Sequence, residues 1–175
     1  MKCLAIGGEP ATGKTTLVKW MYPNFRTNFE FGLLKGHLDE RTSTSLLGLY
    51  HTDNKFCGTD RLSMGVNPDF LKFVDDCKDR RNIVFEGDRL FTKNNLLYLQ
   101  RYYELKIIIL KGAPDTIAKR HIDRKDNQSA TFIKGRQTKV KNIQNHFKDI
   151  VDVYFPVNLQ ESEKLGKILY EWVSK

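Results

Sequence analysis

A glycine-rich loop near the start of the chain constrains the fold more than any other feature of the sequence. The pattern Gly8-x4-Gly13-Lys14-Thr15 follows the apolar run "KCLAI" and opens a helix-like stretch. Glycines let backbone N–H groups wrap around a phosphate, and the positive end of the next helix points at the same anion. Lys14 would neutralise the β- and γ-phosphates of a nucleotide, and the Thr15 hydroxyl would ligate Mg²⁺. The pattern predicts an ATP site formed by Gly8, Ala11, Thr12, Gly13, Lys14, Thr15 and Thr16.

Strands and helices alternate along the rest of the chain. Apolar runs at 2–6, 82–87, 105–110 and 151–157 predict buried strands, with helical stripes between them. Such alternation predicts a parallel sheet with helices on both faces, which binds ligands at the carboxyl ends of its strands. We therefore expect an α/β fold of the P-loop NTPase type, a three-layer sandwich with a five-stranded, mainly parallel sheet and a helical lid. β-type residues around 29–60 allow an extra β segment.

The length of 175 residues fits one domain, which we assign to 1–175, with a lid-like segment at about 120–140. No stretch approaches the roughly 18 apolar residues of a membrane span. The apolar run at the N-terminus is too short for a signal peptide. Three cysteines without C-x-x-C spacing are expected to be reduced thiols. These features predict a cytoplasmic protein.

The positive charge is concentrated in one part of the chain. The formal net charge is +8 and the pI is about 9.4. Between Lys111 and Lys148 there are ten basic residues and three acidic ones, a local excess of seven. Two interpretations remain open, a solvated basic helix face and a site for several phosphates.

A second acidic motif follows the predicted strand at 82–87. A magnesium–nucleotide site needs an acid on a strand beside the loop, and "IVFEGDRL" places Glu86 directly after an apolar run. The alternative for Glu86 is an exposed strand end. Asp88 is a candidate base for an attacking hydroxyl, and Arg89 a candidate ligand for an anionic substrate.

These motifs together resemble the nucleoside monophosphate kinase group of small P-loop kinases. The resemblance rests on the P-loop, the acid-Gly pair Glu86-Gly87, the unit "IIILKGAPDTIAKRHIDR", and a following polar segment and helix. It implies that Glu86 lies by the magnesium, although Asp is more usual there. It also implies a lid whose arginines close over the transferring phosphoryl group, at positions matched by Arg120, Arg124 and Arg136.

Other nucleotide-binding classes fit less well. The sequence has no Asn-Lys-x-Asp motif for guanine and no D-x-x-G beside the second strand. The chain is also small for a motor domain. These observations argue against a GTPase or an ATPase.

Four short motifs resemble a set of phage kinases that phosphorylate the hydroxymethyl group of 5-hydroxymethyluracil in DNA. The motifs are "FGLLKGH", "FCGTDRLSMGVNP", "FEGDRLF" and "IKGRQTK". The resemblance implies a DNA partner that contains a modified pyrimidine and, for a viral protein, the host cytoplasm as location.

A base in DNA must leave its stack before it can reach a phosphate donor. Such an enzyme needs a pocket and a cationic path for the backbone, and the charge of +8 provides cations. Aromatic side chains close to the first helix are either stacking platforms for bases or parts of the core: Trp20, Tyr22, Phe25, Phe29 and Phe31.

The motif "GTDRLSM" supplies a second candidate base. Asp60 and Arg61 follow a Gly-Thr turn, where Asp60 could accept the proton of a primary hydroxyl and Arg61 could bind a phosphate. The alternative is that Asp60 caps a short helix. Asp60 and Asp88 therefore remain rival bases. His37 is a further candidate substrate ligand. The alternative is that His37 has no role in the site and is simply packed in the interior or exposed.

Three hypotheses of function result. The first is a kinase that transfers the γ-phosphoryl group of ATP to 5-hydroxymethyluracil in DNA. The second is a nucleotide kinase or a polynucleotide 5′-end kinase. The third is a nucleotide-dependent DNA-binding protein without transfer activity, which would have no need of Asp60 or Asp88 near the γ-phosphate.

Overall fold

A seven-stranded sheet forms the centre of the computed structural model, which describes residues 1–24, 27–50, 57–113, 115, 117, 129–156 and 158–175. The strands are β1 (Lys2–Gly8), β2 (Thr27–Phe31), β3 (Leu34–Asp39), β4 (Thr44–Leu47), β5 (Asn82–Glu86), β6 (Glu104–Leu110) and β7 (Val151–Tyr154). The described residues form the helices α1 (Lys14–Met21), α2 (Asn67–Cys77), α3 (Lys93–Leu99), α4 (Ala130–His146) and α5 (Leu159–Ser174). The strand order is β2-β3-β4-β5-β1-β6-β7.

The expectation of an α/β fold with a mainly parallel sheet is confirmed, but the expected number of five strands is wrong. Strands β4, β5, β1, β6 and β7 are parallel to one another. Strands β2 and β3 add an antiparallel hairpin at the edge beside β4. The extra β segment around 29–60 thus contributes three strands, of which one joins the parallel set.

Strand β1 lies in the middle of the parallel set because its side chains suit burial on both faces. Residues 3–7 are all buried, as expected for a strand that pairs with parallel neighbours on both sides. The register places Ile6 beside Glu86 and Gly8 beside Leu110. The glycine-rich loop and the acid of "EGDR" therefore leave the sheet at the same carboxyl edge.

Helices cover both faces of the sheet. Helices α2, α3 and α4 pack on one face through buried side chains such as Phe70, Leu96 and Ile143. Helices α1 and α5 pack on the other face. Their contact is close at Gly166, where an added Cβ would lie 2.9 Å from the Cβ of Trp20.

Helix α4 occupies the second half of the predicted lid. It begins after Ser129, whose side chain accepts a hydrogen bond from the Phe132 backbone N–H at 3.2 Å, as an N-cap residue does. The candidate lid residues Arg120 and Arg124 lie outside the described residues. Within the described part of the chain, no helix is long and apolar enough to cross a membrane.

Candidate active site

The loop after β1 has the backbone geometry of a phosphate-binding loop. Gly8 has a φ of 140° and Gly13 a φ of 94°, which favour glycine. A Cβ on Gly8 would lie 2.3 Å from the Leu110 carbonyl oxygen, so the loop also needs glycine for space. Gly13 directly precedes α1. The N-terminal end of α1 therefore adjoins the loop, where it would favour an anion.

Two polar side chains of the loop, Lys14 and Thr15, are held by hydrogen bonds within the protein. Lys14 Nζ donates hydrogen bonds to the carbonyl oxygens of Gly8 at 3.1 Å and Glu9 at 2.8 Å. Thr15 Oγ1 donates to Glu86 Oε1 at 2.8 Å. The ammonium group and the hydroxyl are therefore already held at the mouth of the loop. A bound nucleotide would exchange the two carbonyl contacts of Lys14 for phosphate oxygens.

Glu86 is buried at the end of β5, with 2% of its surface exposed, and is not an exposed strand end. Its neighbours fit closely: a Cβ on Gly58 would lie 2.2 Å from Glu86 Oε1. Thr59 Oγ1 donates to the Glu86 carbonyl oxygen at 2.9 Å. The "GTDR" turn is thus packed directly against the carboxylate that contacts the loop.

The residues present suit Mg²⁺. The Thr15 hydroxyl and the Glu86 carboxylate are hard oxygen ligands on adjacent elements, in direct contact with each other. In the described part of the chain, no group of three or more His, Cys, Asp and Glu could hold a metal ion. Magnesium commonly binds through one or two protein oxygens together with substrate phosphates, so this small donor set fits it.

Asp60 connects the two acidic motifs. It lies in a 3₁₀ turn, Thr59–Arg61, and its carboxylate caps no helix there. Asp60 Oδ1 instead accepts hydrogen bonds from the backbone N–H groups of Asp88 at 2.7 Å and Arg89 at 3.0 Å. This carboxylate therefore fixes the "EGDR" turn while facing the same cavity as the loop.

Asp88 connects the turn to helix α4. Its Oδ2 forms an ion pair with the Arg136 guanidinium, and its Oδ1 lies 2.9 Å from Lys139 Nζ. Lys139 also donates to the Asp88 carbonyl oxygen at 2.9 Å. A further contact joins α4 to the loop, since Gln137 Nε2 donates to Glu9 Oε2 at 3.0 Å. One carboxylate thus holds two cations of α4 over the site.

The surroundings of Lys139 disfavour its positive charge. Burial disfavours the charged ammonium, and together with the nearby Arg136 guanidinium it lowers the pKa of Lys139 to about 8. The carboxylate of Asp60 opposes this shift. The positive charge of Lys139 is therefore poised near neutral pH.

These groups surround one cavity of about 690 Å³. The glycine-rich loop forms one wall, the "GTDR" and "EGDR" turns form the second, and α4 forms the third. The lining residues that carry polar or charged side chains are Lys14, Thr15, Asp60, Glu86, Asp88, Arg89, Thr92, Arg136 and Lys139. The candidate phosphate-binding groups, metal ligands and bases therefore open onto one space, large enough for a small ligand.

Most of the predicted loop residues line this cavity, namely Gly8, Ala11, Gly13, Lys14 and Thr15. Thr12 and Thr16 are not among the lining residues. Thr12 is buried, and its hydroxyl donates to the Glu9 carbonyl oxygen at 2.9 Å. Thr16 lies in the first turn of α1.

The three candidate substrate ligands have different surroundings in the structure, and one of them lines the cavity. Arg89 lines the cavity, and its Nη2 donates to the Asp60 carbonyl oxygen at 3.3 Å. Arg61 is exposed and lies outside the lining. His37 is buried in β3, where its Nε2 accepts from the Tyr50 N–H at 3.4 Å, and it also lies outside the lining.

Most aromatic residues near the first helix belong to the packed interior. Tyr22 packs edge-on against Tyr170, with ring centroids 5.5 Å apart. Phe29 and Phe31 both pack against Phe73 of α2. Trp20 is 40% exposed but packs beside Gly166, and Phe25 lies outside the described residues.

Six cavity-lining residues were absent from the predicted set of site residues, namely Pro10, Cys57, Met64, Thr92, Phe132 and Lys139. Lys139 and Phe132 line the cavity from α4, and Met64 lines it from the loop before α2. The signal for Lys139 was present, because Phe132, Arg136 and Lys139 repeat at i, i+4 and i+7 and so share one helix face. No pattern in the sequence marks Met64.

Comparisons with known proteins concern the fold. No family model matches the chain, and no curated protein matches it. A sugar kinase from a Janibacter species superposes with a TM-score of 0.52 at 12% identity, over 99% of this chain and 94% of that chain. This likeness shows a shared fold.

Two other structures are also similar to this chain. Shikimate kinase from Bacteroides thetaiotaomicron has a TM-score of 0.44 at 12% identity, over 99% of both chains. An uncharacterized protein from Eubacterium ventriosum has a TM-score of 0.47 at 13% identity, over 99% of this chain and 98% of that one. These two scores are too low to support an argument about fold or function.

Proposed function

We propose that this protein is an ATP- and Mg²⁺-dependent phosphotransferase with an alcohol as acceptor. The observation that carries the proposal is the shared cavity, in which Lys14 and Thr15 face two carboxylates and two cations of α4. A protein that only binds nucleotide would not need Asp60 or Asp88 beside the glycine-rich loop. The sugar kinase among the similar structures is compatible with this chemistry.

In the proposed reaction the acceptor hydroxyl oxygen attacks the γ-phosphorus of ATP. The bond from that phosphorus to the β,γ-bridging oxygen breaks, and ADP leaves with its electron pair. The hydroxyl proton passes to a carboxylate and from there to solvent. Because phosphoryl transfer depends mainly on positioning and charge stabilisation, Lys14, Arg136 and Lys139 would stabilise the charge on the transferring group.

Thr15 and Glu86 would hold the magnesium ion, which neutralises phosphate charge when it is bound. The structure supports different roles for the two rival bases. Both oxygens of Asp88 are engaged by Arg136 and Lys139, whereas Asp60 uses Oδ1 for both backbone N–H groups. We therefore assign to Asp60 the role of the base that accepts the hydroxyl proton. Asp88 then has the role of positioning α4.

The acceptor that we propose is the hydroxymethyl group of 5-hydroxymethyluracil in DNA. Support comes from the resemblance of four motifs, of which "GTDR" and "EGDR" form one wall of the cavity and the "IKGRQTK" segment lies in α4. The net charge of +8 favours a polyanionic partner. Met64 and Phe132, which are 82% and 42% exposed, give the cavity an apolar rim suited to a base outside its stack.

A transfer assay with γ-labelled ATP tests this function on matched acceptors. We expect label on duplex DNA that contains 5-hydroxymethyluracil, and none on the same duplex with thymine. If label appears only on free nucleoside monophosphates or on 5′-hydroxyl ends, those groups are the acceptors and the DNA base is not. If the protein binds nucleotide and DNA but labels no acceptor, it is a nucleotide-dependent DNA-binding protein without transfer activity. The Lys14→Ala variant is purified in parallel, and any label that this preparation transfers measures the activity of contaminating kinases.

The lowered pKa of Lys139 predicts how the reaction responds to pH. The ammonium is charged below about pH 8 and loses its proton as the pH rises further, so kcat/KM should fall above about pH 8. In Lys139→Arg the charge persists at all accessible pH values, and the alkaline fall should disappear. A wild-type profile that stays flat to pH 10 would mean that the ion pair with Asp88 keeps Lys139 protonated.

A further inference from the structure

Helix α4 has three faces with different surroundings. Phe132, Arg136 and Lys139 face the cavity. The buried residues Val140 and Ile143 of the helix, and Phe147 directly after it, face the core. The third face is exposed to solvent and carries Lys134, Thr138, Lys141, Asn142 and Asn145. The lysine and asparagine side chains among them can donate hydrogen bonds to phosphate oxygens, whereas the Thr138 hydroxyl donates to the Lys134 carbonyl oxygen at 3.0 Å.

The exposed face carries positive charge, and no acidic residue on the same helix balances it. By contrast, Asp76 of α2 pairs with Arg80 just after that helix, and on α5 Lys167 pairs with Glu163. Helix α4 contains four Lys and Arg residues and no Asp or Glu. Neither Lys134 nor Lys141 forms an ion pair with a residue in the described part of the chain. Acids at i+3 or i+4 would stabilise such a helix by pairing with these lysines, and α4 has none.

Gly135 gives a second, independent indication. It lies inside the helix, where glycine weakens the helix relative to alanine. Among the residues that the structure describes, a Cβ at this position would meet nothing within 4 Å, so no packing contact with them requires glycine. Because Gly135 has no side chain, a ligand can approach the helix backbone closely beside Lys134.

We propose that this outward face of α4 binds the sugar-phosphate backbone of the DNA strand whose acceptor base enters the cavity. Lys134 and Lys141 lie about 10 Å apart along the helix axis, which matches about three nucleotides of a strand. The same helix presents Arg136 and Lys139 to the cavity, so backbone contact and acceptor entry share one rigid element. The identity of the polyanion rests on the proposed function, whereas the surface itself can be tested alone.

The test compares two double variants that remove equal charge. Lys134→Ala/Lys141→Ala alters the outward face of α4, and Lys164→Ala/Lys167→Ala alters exposed lysines of α5, on the opposite side of the sheet. The affinity for a labelled single-stranded oligodeoxynucleotide is measured by fluorescence anisotropy across salt concentrations, without ATP. Circular dichroism confirms that both variants are folded.

Loss of two phosphate contacts should raise the Kd of the α4 variant about tenfold near 0.15 M salt. It should also reduce the slope of log K against log salt by about 1.4. The α5 variant should change the Kd less than about twofold. Equal effects of the two variants, or a wild-type Kd for the α4 variant, would overturn the proposal.

A transfer assay separates this inference from the proposed function. The α4 variant should lose activity on DNA that contains 5-hydroxymethyluracil but keep it on the free nucleoside 5-hydroxymethyl-2′-deoxyuridine. Equal losses on both acceptors would show that the face acts on catalysis and would overturn the inference. If the wild type labels neither acceptor, the proposed function fails, while the binding measurement still decides whether this face contacts DNA.

Discussion

Lys14→Ala should abolish phosphoryl transfer while leaving the fold intact. The ammonium group is the only one that the glycine-rich loop itself offers to the β- and γ-phosphates, and loss of a single charge-stabilising donor typically costs about 10² to 10³ in rate. Because Lys14 would contact both phosphates, we expect a fall in kcat/KM at or beyond the upper end of that range. The measurement is label transfer from γ-labelled ATP to the acceptor that the wild type uses.

The structure indicates why the fold should survive this change. Lys14 contributes two hydrogen bonds from Nζ to carbonyl oxygens of its own loop, at Gly8 and Glu9. Its removal leaves the packed residues of α1, such as Leu17 and Val18, unaltered. The melting temperature should therefore stay within a few degrees of the wild type.

Lys19→Ala is the matched control for Lys14→Ala. It removes the same charge from the exposed side of the same helix, so its activity should equal that of the wild type. Full activity of Lys14→Ala, with a preparation shown to be free of other kinases, would exclude the loop from the chemistry.

The sequence predicts the parallel part of the sheet well because burial on both faces leaves a strong pattern. Strands β1, β5 and β6 are nearly continuous apolar runs, and the acid at the end of β5 stands out against such a run. The hairpin is harder to predict. Strand β2 has five residues, three of them exposed, and only the alternation of Phe29 and Phe31 toward Phe73 marks its inner face.

The contacts between site residues follow from tertiary structure and leave no sequence pattern. Asp60 accepts from backbone N–H groups 28 and 29 residues later, and any residue at those two positions except proline supplies the same donors. Asp88 pairs with cations about 50 residues further on. Sequence reasoning therefore finds both carboxylates but cannot distinguish their roles.

Asp60→Asn should lower kcat by about 10² to 10³ with little change in the KM for ATP. The asparagine carbonyl oxygen can still accept from the N–H groups of Asp88 and Arg89, so the "EGDR" turn keeps its geometry. What the substitution removes is the basicity of the carboxylate, and general-base contributions are commonly 10² to 10⁴ in rate. Steady-state kinetics on the identified acceptor, with circular dichroism as the check on folding, measure the effect.

Asp88→Asn is the companion variant that makes the assignment decisive, because it removes the carboxylate that holds Arg136 and Lys139. Without this partner the two cations lose their fixed position over the cavity, so the KM for ATP should rise, by about tenfold, and kcat should fall less than in Asp60→Asn. The reverse pattern, with kcat lost in Asp88→Asn and retained in Asp60→Asn, would transfer the role of base to Asp88. Asp60 would then serve to hold the turn that presents it. Either carboxylate can accept a proton, so the kinetic constant that each variant changes is what identifies the base.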